Sequence, residues 1–462
     1  MLIGWASVDI TPYGRKVNLM GLFHTRVMDK VHDPITATAL ALDGADGRGG
    51  RDCALMLSVD VCVVTAKFQD RLRSLVGKQL PDFDVRKLFL SATHTHTAPH
   101  TEEFWYPPLP GDVMSPVEYA DFLAKKLTAC AAAAWNNRRE GSVAWAFGEA
   151  VVGHNRRALY RDGHAEMFGR ADRPEFVSLE GGEDHSLNLL FTYDARKELT
   201  GVVLNLACPC QIAHCEDYIS ADFWHEVRAE LRGKYGDGLG VLPTCAPAGD
   251  QCPQPLLSGR EEAYMRQRLG LSERELVARK IAGAVGEALP TARNSAVDQP
   301  VLRHAVEMVG LPRYKAGENE IEREYRKAAG PDDGPGPEDP LEASRRHAFR
   351  VRRRWALERE ELARTQPDLP VELHAVRLGE IVVATNPFEL FLDFGVRIRA
   401  RSCAIHTFLV QLTGDYADYL PTERAVAGGS YGATVLSCQV GPEGGRILVE
   451  KTVEMISRLW EP

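Results

Sequence analysis

Ser91 to His100 reads SATHTHTAPH, which puts His94, His96 and His100 directly after the apolar run Leu88-Phe89-Leu90. If Thr93 to Thr97 is extended, side chains alternate with period two and His94 and His96 share a face. Two imidazoles on one face at a strand end suit a divalent cation, or a split in which one ligates and the other meets substrate. The same spacing also fits a hydrogen-bonded polar loop. Asp60 lies inside the apolar run Ala54 to Val64, where a carboxylate needs partners, either a metal ligand to orient or a backbone to cap. Glu389, in NPFELF, precedes an apolar helical pattern and by itself reads as a favourable charge at a helix N-terminus.

The surrounding pattern says what must position these groups. Short β-branched runs recur at 54–64, 88–90, 143–147, 187–191 and 202–206, with helical stretches between them, as in Val117 to Trp135. Strands return at 371–376, 381–385 and 407–412, and the chain closes on a helical pattern from Gly445 to Trp460. Interleaving of this kind predicts an α/β protein with a mixed β-sheet core flanked by helices. Ser272 with Glu275 makes a capping box at the start of a helix to Leu289. The chain reads as one domain, 1–462, carrying a charged helical insertion at 313–364. Within that insertion GPDDGPGPEDP, Gly330 to Pro340, reads as a surface loop. The basic run RRHAFRVRRR, Arg345 to Arg354, is followed closely by Glu358, Glu360 and Glu361, and Phe349 and Trp355 mark an inward face. No internal repeat is visible.

Composition narrows the function classes. With 44% hydrophobic and 26% charged residues over 462 positions, the chain can bury a large core. A net charge of −9 disfavours nucleic acid as a partner. No run reaches the roughly 18 to 20 apolar residues of a membrane span, and MLIGWASVDITPYG lacks the charged and apolar regions of a secretory signal. The expectation is a cytoplasmic protein. Ten cysteines are too sparse for a disulfide scaffold.

Several segments, in order, resemble the neutral ceramidase family of zinc-dependent N-acyl amidases. SATHTHTAP is similar to its THTHSGP segment, WASVDITPYG to its opening DITP segment, and VHDPITATALALDG to its HDP-plus-strand segment. GHNRRALY matches its NR motif, and APAGDQCPQ the segment bearing its nucleophilic serine. NPFELF is similar to its glutamate-ligand segment, and DYADYLPTERAVAGGSYGA to its paired-tyrosine segment. The resemblance covers that family's catalytic domain.

The resemblance implies zinc held by His94, Glu389 and Tyr419, with His96 facing the substrate carbonyl. It implies that Arg156 and Tyr431 hydrogen-bond that carbonyl, helped by the backbone at Gly21. Cys252 stands in the place of the nucleophilic serine and is open to three readings: it attacks and forms a thioester, it ligates zinc while a water attacks, or it is a bystander. In NLACPCQIAHCEDYISADFWHE, Pro209 occupies the place of a histidine ligand, and His214, Cys210, Cys208 and His225 are the candidate replacements, His214 first. The implied activity is hydrolysis of a carbonyl-linked bond, a linear amide above all, in a small-molecule or lipid-like substrate. The alternatives are an ester, lactone or glycosidic bond on the same site, or a metal-binding relative without catalysis. Trp105, Tyr106, Pro107 and Pro108 are expected to line an entrance.

Overall fold

The computed structural model describes residues 1–330 and 339–462. The Gly330 to Pro340 loop expected from the sequence lies, apart from its ends, outside the described residues. The first unit comprises β1 (Leu2–Asp9), β2 (Thr36–Ala45), β3 (Arg51–Val59), α1 (Ala66–Gln79), β4 (Leu88–Ala92) and α2 (Pro116–Asn136). The second comprises β5 (Arg139–Glu149), β6 (Ser186–Asp194), β7 (Leu199–Leu206), α3 (Phe223–Tyr235), β8 (Gly240–Cys245) and α4 (Glu273–Asn294). The third begins with β9 (Leu302–Pro312); between it and β10 (Asp368–Leu378) lie α5 (Glu318–Ala329) and α6 (Pro340–Leu362). It ends with β11 (Ile381–Thr385), α7 (Leu392–Arg401), β12 (His406–Val410) and α8 (Pro442–Arg458).

Each unit has the same topology: an antiparallel meander of three strands, a helical crossover, and a fourth strand parallel to the third. The repeat invisible in the sequence is therefore present in the topology. Most of these strands are buried on both faces, and the continuous apolar run that this needs can be met by many residue combinations, so the topology survives without residue identity. The first two units form one eight-stranded mixed sheet, joined where Leu2 and Ile3 meet Glu140 and Arg139. The third forms its own four-stranded sheet.

The three units share a core. Leu40, Met56 and Phe89 of the first unit, Leu190, Val203 and Leu242 of the second, and Val376, Val383 and Phe408 of the third pack into one buried cluster. The outer faces are covered by α1 and α2, by α3 and α4, and by α7 and α8. The helix starts are set locally: Ser115 and Glu118 cap α2 reciprocally, with Pro116 in its first turn, and Ser272 and Glu275 do the same for α4. The segment after β12 ties unit ends together, since Gln411 N–H donates to Cys245 O at 3.0 Å and Gly414 N–H to Leu90 O at 2.9 Å.

The basic run on α6 turns partly inward. Phe349 is buried and Trp355 half-buried, and Arg352 is buried against Asp418 at 3.3 Å, over the rings of Phe23 and Trp105. Among the described residues no helix is long and apolar enough to cross a membrane.

Candidate active site

The connections after the third strand of every unit, and after the fourth strand of the first and third, line one cavity of about 840 Å³. The T-H-T-H-T segment follows β4. Its threonines anchor it and its histidines face the cavity. Thr93 Oγ1 donates to Asp60 Oδ1 at 3.2 Å, and Thr95 and Thr97 donate to Ser220 O at 3.1 and 2.9 Å. His94 and His96 do converge, with Nε2 atoms 3.4 Å apart. They do so without the extended backbone assumed from the sequence, because His94 sits at φ +67°. A non-glycine residue there carries strain of order 1–3 kcal/mol. Local bonds hold it: His94 N–H donates to Val61 O at 3.1 Å and its Nδ1–H to Cys62 O at 2.8 Å. His100 turns away, between Asn18 at 3.2 Å and the carbonyl of Glu102 at 2.7 Å.

Glu389 and Tyr419 are register partners in a short parallel ladder, Glu389–Leu390 with Tyr419–Leu420. Glu389 Oε2 lies 3.3 Å from His94 Nε2, and Tyr416 OH donates to Glu389 Oε1 at 3.2 Å. Tyr419 also hydrogen-bonds the carboxylate. Arg156, in the long connection of the second unit, donates to Gln211 Oε1 at 3.1 Å, Gly249 O at 2.8 Å and Tyr419 OH at 3.3 Å, and stands 4.0 Å from Glu389. Gln211 in turn donates from Nε2 to His96 Nε2 at 3.0 Å. Tyr431 lines the cavity with its ring edge-on to Tyr419, centroids 5.3 Å apart.

This donor set fits a cation. With Nδ1 of His94 committed to the Cys62 carbonyl, its Nε2 lone pair faces a carboxylate oxygen and a second imidazole nitrogen. That is the arrangement of a metal-binding histidine oriented from behind by a backbone carbonyl. Burial alone would depress the His94 pKa, but Cys62 and Glu389 outweigh it and raise it well above the usual histidine range. The surroundings therefore favour positive charge at this point. Burial, with His94 and His214 adding to it, pushes His96 well below its usual range and keeps it neutral. Burial would raise Glu389, but His94 and Arg156 hold it below the usual carboxylate value. Burial, then Glu389 and Tyr431, keep Tyr419 a neutral phenol. Cys62, His94 and His96 also form a compact group, with their ligating atoms within 4.8 Å of one another.

The remaining expected residues fall as follows. Gly21 lies against the His96 ring: a Cβ there would come within 2.3 Å of it, at φ +120°. Its N–H donates to Tyr106 OH at 3.1 Å. His214 lines the cavity, with Nδ1 donating to Gln211 O at 2.6 Å and its ring 6.5 Å from that of His96. From this loop it is the Gln211 amide that reaches His96, while Cys208 and Cys210 are buried and His225 lies on α3. Cys252 is fully buried and is not among the residues lining the cavity. Its thiol donates to Gln254 O at 3.0 Å, Gln254 donates to Gln211 O at 2.9 Å, and burial pushes the thiol up to about 11. Asp60 is held bidentately by the buried Arg228 at 2.7 and 3.0 Å. Three site residues had no sequence signal of their own: Cys62, Gln211 and Tyr416. The nearest cues were their spacings, two residues after the buried Asp60, two after Pro209, and three before Tyr419.

Three strand–helix units around a common core, with a buried polar site at the ends of their parallel strands, define a mixed α/β fold that solved structures share. Neutral ceramidase from Pseudomonas aeruginosa aligns over 100% of this chain and 75% of its own, with a TM-score of 0.70 and 17% identity. A ceramidase complexed with C2 aligns over 99% of this chain and 75% of its own, with the same TM-score and identity. The chain therefore has the neutral ceramidase fold. No protein-family model matches it, and no curated protein matches its sequence.

Proposed function

We propose that the protein is a divalent-metal-dependent hydrolase of a carbonyl-linked bond, with a linear amide as its first substrate class and zinc as its cation. The observation that carries this reading is the meeting of His94 Nε2, Glu389 Oε2 and His96 Nε2 at 3.3 and 3.4 Å in the wall of the cavity. His94, Glu389 and Tyr419 would hold the cation. Nitrogen and oxygen donors of this kind suit zinc. When bound, the cation supplies a Lewis acid for the scissile carbonyl and acidifies the attacking water.

The chain's own groups do the rest. Arg156 and Tyr431 donate to the developing oxyanion, each aimed donor being worth about 3 kcal/mol. Gln211, fixed by Arg156, holds His96 neutral and in place beside the carbonyl, and Gly21 leaves room for that ring. Phe23, Phe349 and Leu22 give the cavity an apolar wall for an acyl group. His214 lines the cavity with its Nδ1–H on the Gln211 carbonyl, as His94 has its own on the Cys62 carbonyl, and its Nε2 is left free to serve as the further ligand. Both structural neighbours are ceramidases by name, which agrees with the amide reading.

The attacking group divides the proposal. Water is favoured, because Cys252 lies one layer behind Gln254 and Gln211 and its thiol is held protonated. A second reading keeps Cys252 as nucleophile, supported by the Arg156 guanidinium, whose charge lowers the thiol pKa against the effect of burial. Cys252→Ser and Cys252→Ala separate the two: retention of turnover in both supports water, and loss in both with an acyl-enzyme trapped in the parent supports the thiol. The overall test is a panel of N-acyl, ester and glycoside chromogenic substrates, run with metal quantified. Amide turnover abolished by chelation supports the proposal. Turnover of esters or glycosides alone reassigns the bond, and a metal-free protein without turnover overturns it.

A further inference from the structure

Ten cysteines are spread along the chain. Among the described residues, Cys62 alone of them lines the cavity. It is buried, and it sits in the connection after β3, the counterpart in the first unit of the connection that carries Glu389 in the third. Its main chain is tied to the candidate ligand twice over: Val61 O accepts His94 N–H at 3.1 Å, and Cys62 O accepts His94 Nδ1–H at 2.8 Å. Its sulfur lies 3.7 Å from His94 Nδ1. The ligating atoms of Cys62, His94 and His96 stand within 4.8 Å of one another.

We infer that Cys62 supplies a thiolate to the same cation as His94 and Glu389, making the centre a sulfur-containing one. The inference rests on the metal reading above and deepens it. With zinc–sulfur and zinc–nitrogen bonds of about 2.3 and 2.0 Å, a thiolate and an imidazole nitrogen on one tetrahedral ion stand about 3.5 Å apart, a spacing that the 4.8 Å grouping of Cys62, His94 and His96 brings within reach of a side-chain adjustment. On binding, the S–H bond breaks, the sulfur lone pair goes to the cation, and the proton leaves to solvent. Glu389 and Cys62 then carry two negative charges against a divalent cation, which lets the ion sit buried without a further counter-charge. A thiolate in the set also selects zinc, cobalt or cadmium over magnesium, calcium or manganese.

Cobalt(II) titration of the full chain tests this. The expected result is stoichiometric uptake, visible d–d bands, and a near-ultraviolet thiolate-to-cobalt charge-transfer band. Cys62→Ser should lose the charge-transfer band, keep the d–d bands, and weaken cadmium(II) at least about tenfold, the lower end of what losing even an outer-shell partner costs. Cys252→Ser should leave the band intact. Uptake without a charge-transfer band in the parent overturns the inference and leaves the metal reading standing; this needs no variant to fold. A band that survives in Cys62→Ser and vanishes in Cys252→Ser also overturns it. Absence of any cobalt uptake overturns both the inference and the metal reading.

Discussion

His94 Nε2 stands 3.3 Å from Glu389 Oε2, with both side chains buried. The histidine comes from the first unit and the glutamate from the third, so the contact exists only when the units close on their common core. Removing one partner leaves the other's charge or lone pair buried and unanswered, which costs about 3–5 kcal/mol when a buried charge pair is broken. Glu389→Ala should therefore lower amide turnover and metal affinity by at least about 100-fold, the upper end of what outer-shell losses cost. Metal content after dialysis, measured beside turnover, checks it; full metal retention with unchanged turnover would remove Glu389 from the centre.

Gly21 and His96 are coupled by close approach. Gly21→Ala forces a Cβ to within 2.3 Å of the ring at φ +120°. Overpacking of this kind costs about 1–3 kcal/mol. The expected outcome is a lower midpoint in urea together with a larger loss in kcat than in KM, since His96 is displaced from the carbonyl. A stability loss with normal kcat would make Gly21 purely a packing residue.

Asp60 and Arg228 form a buried bidentate pair that also receives Thr93, the residue before His94. Asp60→Ala leaves the guanidinium unpaired, at about 3–5 kcal/mol. Chemical denaturation should show that loss. A shift below about 1 kcal/mol would mean that Arg228 finds water or another acceptor.

Stability should also depend on pH through Glu372. Burial would raise its pKa, but hydrogen bonds from His374 and Arg73 hold it down at about 2, against 4.5 for an ordinary glutamate. A depressed carboxylate contributes stability that is fully present above the unfolded value and is lost as pH falls through the folded one. Melting temperature should therefore fall between about pH 4.5 and pH 2. In Glu372→Gln that part of the acid slope should flatten; an unchanged slope would assign it to other groups.

Much was legible in the linear pattern. Short β-branched apolar runs located strands such as Ile381–Thr385, and the Ser272/Glu275 capping box located the start of α4. These features are local: apolar runs, caps and helix periodicity act over a few residues and need no partner from far away. The T-H-T-H-T segment was legible as a candidate site for the same reason, although its backbone was not, because the φ of +67° at His94 is fixed by carbonyls of the β3 connection. Phe349 on α6 was correctly read as inward, since an aromatic among charges on one helix face is a local signal too.

The amino-acid order by itself determined the elements, their caps and the residue types available for chemistry. Only the closed fold decided which of them meet. It brought Cys62, Gln211 and Tyr416 to the cavity, set Cys252 a layer behind its wall, and repeated one strand order three times. The physical reason is range. Local propensity is fixed by neighbours in the chain, whereas a buried site is assembled from loop ends that come together only when three separate apolar faces are removed from water at once.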